Sequence, residues 1–414
     1  MADAKTRIDG TTIAAAVAAA AILVSYILFI DSGLGDRLYK WSKSFASYEW
    51  RQHLGLSKRY LLQWGHIVFL FLLLLLSKYI IVDRRPEPAW LGQIRETLSR
   101  YAPAIFLFHF PLMYFFAAVT RHDATSDRDQ TVLLVLVLAG SAAFGWLCFW
   151  LNDHARRIGP WARGRFRRLD ERFSFLWSKS KRRPAPAARV PYPPPNFGAF
   201  LDWVKIAATM VVVLGHFSFK EFSTWDIPGF GGATPRFAVP TFFLISGYLA
   251  MMSIDLASRG FLETLFRRWW RLAPLVVPML LIVPILDHIG FATNREVYFA
   301  NEGFVTDAGG GPPDLGGFFL TLLSSLLYLN EIWIFNLLHL GTELGGVRAF
   351  SNDAFWFMCY LFPFNVLLAI CTSFRGKRRY FAVLAFCVFV GPPILLLAPL
   401  FFAGSVAYLI HRRV

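Results

Sequence analysis

Residues 201–216, LDWVKIAATMVVVLGH, decide the fold of this chain. An apolar helix that enters a membrane carries an aspartate, a lysine and a histidine here, and ionisable groups inside a bilayer are costly enough to indicate function. Lys205 precedes His216 by eleven residues, which is about 1100° of helix rotation, so the two side chains share a face to within about 20°. Asp202 lies about 40° from His216 on that helix. His216 is about 16 Å along the axis from Lys205, deep in a hydrocarbon core about 30 Å thick.

The whole chain has the composition of an integral membrane protein. Its 414 residues are 56% hydrophobic and 17% charged, and 42 Phe and 14 Trp supply bulk for lipid-facing and interfacial surfaces. Apolar runs long enough to cross a bilayer occur at about 11–30, 60–82, 102–119, 131–151, 197–217, 236–253, 272–290 and 353–373. A further pair, split by Gly391-Pro392-Pro393, lies between 380 and 411. The sequence therefore predicts an all-α, polytopic integral membrane helix bundle with about ten transmembrane helices.

The net charge of +15 is distributed over alternate loops, as the positive-inside rule requires, and this distribution argues against nucleic acid as a partner. Segment 152–196 carries twelve Lys or Arg against three acids and ends in a Pro-rich run. We expect this segment to be a cytoplasmic, partly extended linker. With this segment in the cytoplasm, the number of crossings predicts that both termini are cytoplasmic too. We therefore expect a multi-pass protein that contacts the lipid bilayer of the cytoplasmic (inner) membrane.

Segment 317–340 is apolar enough to cross, but a crossing there would place the basic cluster at 375–379 outside. We therefore expect an interfacial or re-entrant segment on the outer side. Its Glu331 and Trp333 could touch an acceptor, and an interfacial position explains them equally well.

The four cysteines lie in apolar segments without metal-ligand spacing. Their pattern predicts small buried hydrophobes and no metal site. They are Cys148, Cys359, Cys371 and Cys387.

Four stretches in chain order resemble the motifs of the membrane-bound acyltransferase 3 family. They are LDWVKIAATMVVVLGH at 201–216, RFAVPTFFLISGYL at 236–249, RRWWRLAP at 267–274 and SNDAFWFMCY at 351–360. The first is similar to a first-helix motif in which a basic residue precedes a histidine by eleven positions. Each pattern is weak alone, whereas four in order with sensible spacing are specific.

A fifth stretch, YAPAIFLFHFPLMYF at 101–115, resembles the family's penultimate helix, which normally lies near the carboxyl terminus. The resemblance thus implies a circularly permuted domain. In this arrangement, residues 1–151 form four transmembrane helices that are similar to the C-terminal part of the family fold. Residues 197–414 form six helices plus the re-entrant segment and are similar to the N-terminal part. The linker, 152–196, joins the two parts. The alternative is the tail of one domain fused to the head of another, each incomplete.

Two histidines are the catalytic candidates that the resemblance implies. An imidazole in general titrates near neutrality, so that of His216 could take a proton from an acceptor hydroxyl as the hydroxyl oxygen attacks a thioester. The resemblance implies that His109 lines the same cavity. The alternative for His216 is a histidine hydrogen-bonded within the bundle, and for His109 a core histidine bonded to a carbonyl freed by Pro111.

Four cations are the candidates for binding the phosphates of an acyl-coenzyme A donor. Lys205 stands where the family usually has arginine, and it could instead pair with Asp202 while reaching to water. The other three, Arg267, Arg268 and Arg271, lie together on a predicted helix and suit phosphates. A position as flanking charges at the cytoplasmic surface explains them too.

The remaining predicted residues support the site or depart from the family. Ser246 and Gly247 are small enough for close helix packing. Leu361 stands where many members have a glutamate, so a carboxylate that could assist the chemistry is missing.

Two classes of function follow. The first is a membrane O-acyltransferase that moves an acyl group, acetyl being expected, from cytoplasmic acyl-coenzyme A to a hydroxyl of an envelope glycan or lipid-linked acceptor. No cofactor is bound permanently, because acyl-coenzyme A is a substrate. The second is a catalytically degenerate subunit that acts as a scaffold for other membrane subunits. A transporter ranks last, because no inverted half-length repeats occur.

Overall fold

The computed structural model describes residues 10–42, 44, 60–81, 87–173, 194–225, 237–256, 260–299, 315–334 and 347–413, and within these ranges it contains helices and no strand. The helices are α1 (Gly10–Asp31), α2 (Leu34–Ser42), α3 (Tyr60–Ile81), α4 (Ala89–Val119), α5 (Asp127–Arg172), α6 (Pro195–Phe217), α7 (Ala238–Asp255), α8 (Phe261–Thr293), α9 (Arg295–Phe299), α10 (Leu315–Leu326), a 3-10 turn (Asp353–Phe355), α11 (Trp356–Ser373) and α12 (Gly376–Arg413).

Nine helices of the described residues are long and apolar enough to span a membrane. The protein is therefore a multi-pass, all-α membrane bundle, as the sequence predicted. The short helix α10 has 12 residues, which is about 18 Å and less than the thickness of a hydrocarbon core. That length fits the interfacial or re-entrant segment expected at 317–340, of which residues 335–340 lie outside the described residues.

The last helix, α12, consists of two helical segments. Gly391 between them has φ +76°, a left-handed conformation that glycine adopts without a steric cost. Phe374, just before α12, packs on Phe261 at the start of α8, and Arg412 near its end pairs with Asp255 at the end of α7. Because α7 ends where α8 begins, both ends of α12 lie at one face of the bundle. The chain therefore reverses at Gly391, and if its two segments are counted separately, the described residues hold ten candidate crossings.

We call the end of the bundle that holds Arg95, Asp202 and Asp255 the basic face. Helices α4 and α6 both start there and run parallel, since Arg95 bonds Asp202 near their beginnings and His109 bonds His216 further along. This parallel pair positions the candidate site.

One hydrophobic core contains side chains from both predicted segments of the chain. Phe108 of α4 and Val137 of α5 belong to the same buried cluster as Val213 of α6 and Phe401 of α12. Hydrogen bonds also join the segments, since Trp64 donates to the carbonyl of Leu396 at 2.8 Å. The order of these helices relative to the family remains a prediction.

The basic linker starts later than the sequence predicted. Residues 152–172 continue α5 as helix, because tertiary contacts hold this extension against α8. Phe166 stacks on Phe266 with ring centroids 4.2 Å apart, and the carboxylate of Asp170 accepts backbone N–H groups of Leu262 and Glu263 at 2.9 and 2.7 Å. Asp170 thus caps the start of α8. Residues 174–193, which include most of the Pro-rich run at 184–195, lie outside the described residues.

Candidate active site

The two candidate histidines meet across α4 and α6. His109 Nε2 lies 2.7 Å from His216 Nδ1, and the ring planes are within 7° of each other with centroids 5.0 Å apart. The sequence predicted that these residues share a cavity, and the structure places them in direct contact. Their positions in the chain are 107 residues apart.

The hydrogen bonds of the pair fix where its protons lie. His109 Nδ1 is 3.0 Å from the carbonyl oxygen of Ile105 and 2.8 Å from that of Phe106. A carbonyl only accepts, so His109 Nδ1 carries the proton. In a neutral His109, Nε2 then accepts from His216 Nδ1–H, and the lone pair of a neutral His216 is left on its Nε2. No described residue hydrogen-bonds that nitrogen, and His216 is half-buried.

Pro111 explains a further polar contact beside the pair. A proline cannot donate to the carbonyl four residues before it, so Pro111 leaves the carbonyl of Leu107 without a helical partner. Asn352 donates to this oxygen at 2.9 Å. The freed carbonyl is therefore satisfied by Asn352, and His109 bonds two other carbonyls instead.

Aromatic rings surround the histidine pair. Phe110 meets His216 edge-on with ring centroids 4.8 Å apart, and Phe219 meets it at 5.5 Å. Phe106 lies 6.2 Å from the ring of His109. This apolar surrounding lowers the local dielectric and strengthens any charge interaction at the pair.

A cavity of about 250 Å³ extends from the basic face toward the pair. Its walls are mostly apolar, and three cations line it: Lys205, Arg268 and Arg271. Ser246 and Thr209 are among its polar side chains, and none of its described lining residues is acidic. An apolar chamber with cations suits a long apolar arm that carries phosphates at one end.

The predicted phosphate ligands divide into two groups. Arg271 is exposed, and Arg268 donates to the carbonyl of Ala250 at 2.9 Å. Arg267 does not line the cavity, because Glu263 binds it at 2.7 Å one turn earlier on α8. The structure thus brings Lys205, Arg268 and Arg271 together and leaves Arg267 aside.

Asp202 holds Lys205 within an ion-pair network at the basic face. Its two carboxylate oxygens bind Lys205 Nζ at 2.6 Å and Arg95 at 2.8 Å. Arg95 also binds Glu87 at 2.9 Å, and Trp203 donates to the same carboxylate. The hydrogen bonds from Trp203 and then Arg95 hold the pKa of Glu87 below its usual value. Pairing with Asp202, the alternative raised for Lys205, is therefore present, and Lys205 still lines the cavity.

Ser246 and Gly247, adjacent in α7, have different roles. Ser246 lines the cavity. A Cβ added at Gly247 would lie 1.8 Å from the carbonyl oxygen of Phe401, so glycine permits the close crossing of α7 and α12. A Cβ added at Gly404 of α12 would lie equally close to the carbonyl oxygen of Leu244.

Three further residues that the sequence singled out lie either in the cavity wall or away from it. Leu361 lines the cavity, so the cavity wall is apolar at the position of the missing carboxylate. Glu331 is buried, and Trp333 packs over Gly391. Neither Glu331 nor Trp333 lines the cavity.

Sequence reasoning missed several residues that shape the site. Asn352 and Arg95 act through contacts between distant helices, and only the proline at position 111 signalled that some donor was required near Leu107. The three phenylalanines at the end of the cavity, Phe106, Phe242 and Phe357, had no distinguishing signal among the 42 in the chain.

Comparison with known proteins identifies the family of this chain. A family model described as an acyltransferase domain, that of the acyltransferase 3 family, matches residues 199–414. The match covers more than half of the chain and includes the residues of α6, α7, α8 and α11 that line the cavity. No curated protein and no solved structure matches. The chain therefore belongs to the acyltransferase 3 family of membrane acyltransferases.

Proposed function

We propose that this protein transfers an acyl group, acetyl being expected, from cytoplasmic acyl-coenzyme A to a hydroxyl of an envelope glycan or lipid-linked acceptor in the cytoplasmic membrane. One observation carries the proposal. His109 accepts from His216 Nδ1–H, so the lone pair of His216 is held on the nitrogen that no described residue binds. A histidine oriented in this way is suited to act as a general base.

His216 would handle the proton of the transfer. The oxygen of the acceptor attacks the thioester carbonyl, a C–O bond forms, and the C–S bond breaks. His216 Nε2 takes the hydroxyl proton and returns it to the sulfur of the leaving coenzyme A. As His216 becomes positively charged, its Nδ1–H donates more strongly to His109, which acts as a positioning residue.

The cavity supports acyl-coenzyme A as the donor. Lys205, Arg268 and Arg271 offer charge for the phosphates, and the apolar walls suit the pantetheine arm that carries the thioester inward. The positive-inside rule puts the basic face in the cytoplasm, where acyl-coenzyme A is made. This orientation would deliver the donor from the cytoplasm and leave the other end of the bundle for the acceptor.

Replacing His216 with alanine tests the proposal. In membrane vesicles that contain the native acceptor, transfer of radiolabelled acetyl from acetyl-coenzyme A should fall by about 10²-fold or more. A His288→Ala variant is the matched control, because His288 lies outside the cavity and the pair. Unchanged acetyl transfer by a folded His216→Ala protein would refute the assignment.

The second candidate, a catalytically degenerate scaffold subunit, is favoured by one observation. Neither histidine is among the described lining residues of the cavity, and on α4 the lining ends one turn before His109. Purification from native membrane separates the candidates. Stoichiometric association with other membrane subunits, together with no binding of acetyl-coenzyme A, would favour the scaffold.

A further inference from the structure

Three phenylalanine rings end the cavity, and we propose that they set the size of the acyl group that the protein transfers. They are Phe106, Phe242 and Phe357, which we call the phenylalanine trio. This inference rests on the proposed acyl transfer and concerns the acyl specificity of the same site.

The trio comes from three different helices at one level of the bundle. On α4, α7 and α11, the lining residue furthest from the basic face is a member of the trio. The ring of Phe106 is 5.3 Å from that of Phe242 and 5.3 Å from that of Phe357, and the last two are 5.7 Å apart. Each ring thus contacts the other two, which is the spacing of packed aromatic pairs.

The trio lies between the cavity and the histidine pair. Phe106 precedes His109 by one helical turn, and its carbonyl oxygen accepts from His109 Nδ1. On α6, the furthest lining residue is Thr209, about 10 Å along the axis before His216. Neither histidine is among the described lining residues. A thioester that enters from the basic face therefore meets the trio before it reaches His216 Nε2.

Because the trio lies on the path of the thioester, its close packing selects acyl groups by size. The rings must separate for the acyl group to pass, and a longer chain holds apart, over a greater part of its path, side chains that are otherwise in contact. An acetyl group requires the smallest displacement. The trio therefore favours short acyl groups over long ones.

Phe242 is the member of the trio whose substitution tests the size filter most directly. Phe106 is bonded through its backbone to His109, and Phe357 also packs against Phe243, at 4.6 Å. Phe242 contacts the other two members of the trio and neither histidine. Its truncation widens the end of the cavity while the histidine pair is preserved.

The experiment measures acyl transfer from radiolabelled acetyl- and hexanoyl-coenzyme A in membrane vesicles that contain the native acceptor. The ratio of hexanoyl to acetyl transfer should rise about tenfold in Phe242→Ala relative to the unmodified protein. Phe242→Leu gives a smaller rise and serves if the alanine variant does not fold. Leu249→Ala is the matched control, because Leu249 lines the same cavity two turns along α7 toward the basic face. Its ratio should not change.

The outcomes separate this inference from the proposed function. An unchanged ratio in Phe242 variants that still transfer acetyl overturns the size filter and leaves acyl transfer standing. An equal rise in Leu249→Ala also overturns it, because cavity volume rather than the trio would then set the size. If the folded, unmodified protein transfers neither group, the proposed function fails and the inference falls with it.

Discussion

Replacing His109 with alanine tests whether the histidine pair acts as one unit. The change removes the acceptor that lies 2.7 Å from His216 Nδ1. A donor left unsatisfied in an apolar environment costs about 1–3 kcal/mol, which corresponds to a loss of about 5- to 150-fold if it falls on the transition state. The upper end of this range only just reaches the lower end of the effect of removing the general base itself, which is about 10²–10⁴-fold.

Kinetics of acetyl transfer in membrane vesicles measure this loss. We expect kcat to fall while the KM for acetyl-coenzyme A stays close to that of the unmodified protein, because His109 does not line the donor cavity. His109→Gln should recover part of the rate, since the side-chain carbonyl of glutamine accepts a hydrogen bond. A role limited to packing would show no such recovery.

The double variant gives the sharpest comparison. If His109 acts through His216, then His109→Ala combined with His216→Ala should be no slower than His216→Ala alone, because residues that act as a unit are not additive. Losses that multiply in the double variant, or a glutamine variant no faster than the alanine variant, would refute the reasoning.

Two further variants test the packing and the donor site. Gly247→Ala should lower the thermal unfolding midpoint in detergent, since its Cβ would lie 1.8 Å from a backbone oxygen and overpacking costs about 1–3 kcal/mol. Gly198→Ala, whose Cβ would meet nothing within 4 Å, should leave the midpoint unchanged or higher, and equal effects of the two would contradict this account. Arg271→Ala should weaken acetyl-coenzyme A binding about tenfold in a direct titration. Arg267→Ala should not, because Glu263 already holds Arg267 outside the cavity, and equal weakening would disprove this division of the cations.

Features that depend on a single helix follow directly from the amino-acid sequence. Hydropathy marked the crossings, because a bilayer requires long apolar runs and satisfied backbone groups whatever the helices pack against. Helical periodicity put Lys205 and His216 on one face, and the Gly-Pro-Pro at 391–393 marked the break that splits α12. Both signals are local and are read without knowing the neighbours.

The grouping of side chains into one site depends instead on how the helices pack. His109 and His216 are 107 residues apart, and the bond between them exists because α4 and α6 pack in parallel. The separation of Arg267 from Arg268 and Arg271 depends on Glu263 and on which side of α8 faces the cavity. The phenylalanine trio is assembled from three helices, and a ring that closes a cavity has the same hydropathy as one that faces lipid. Side-chain partners of this kind are set by helix packing, which no local pattern encodes.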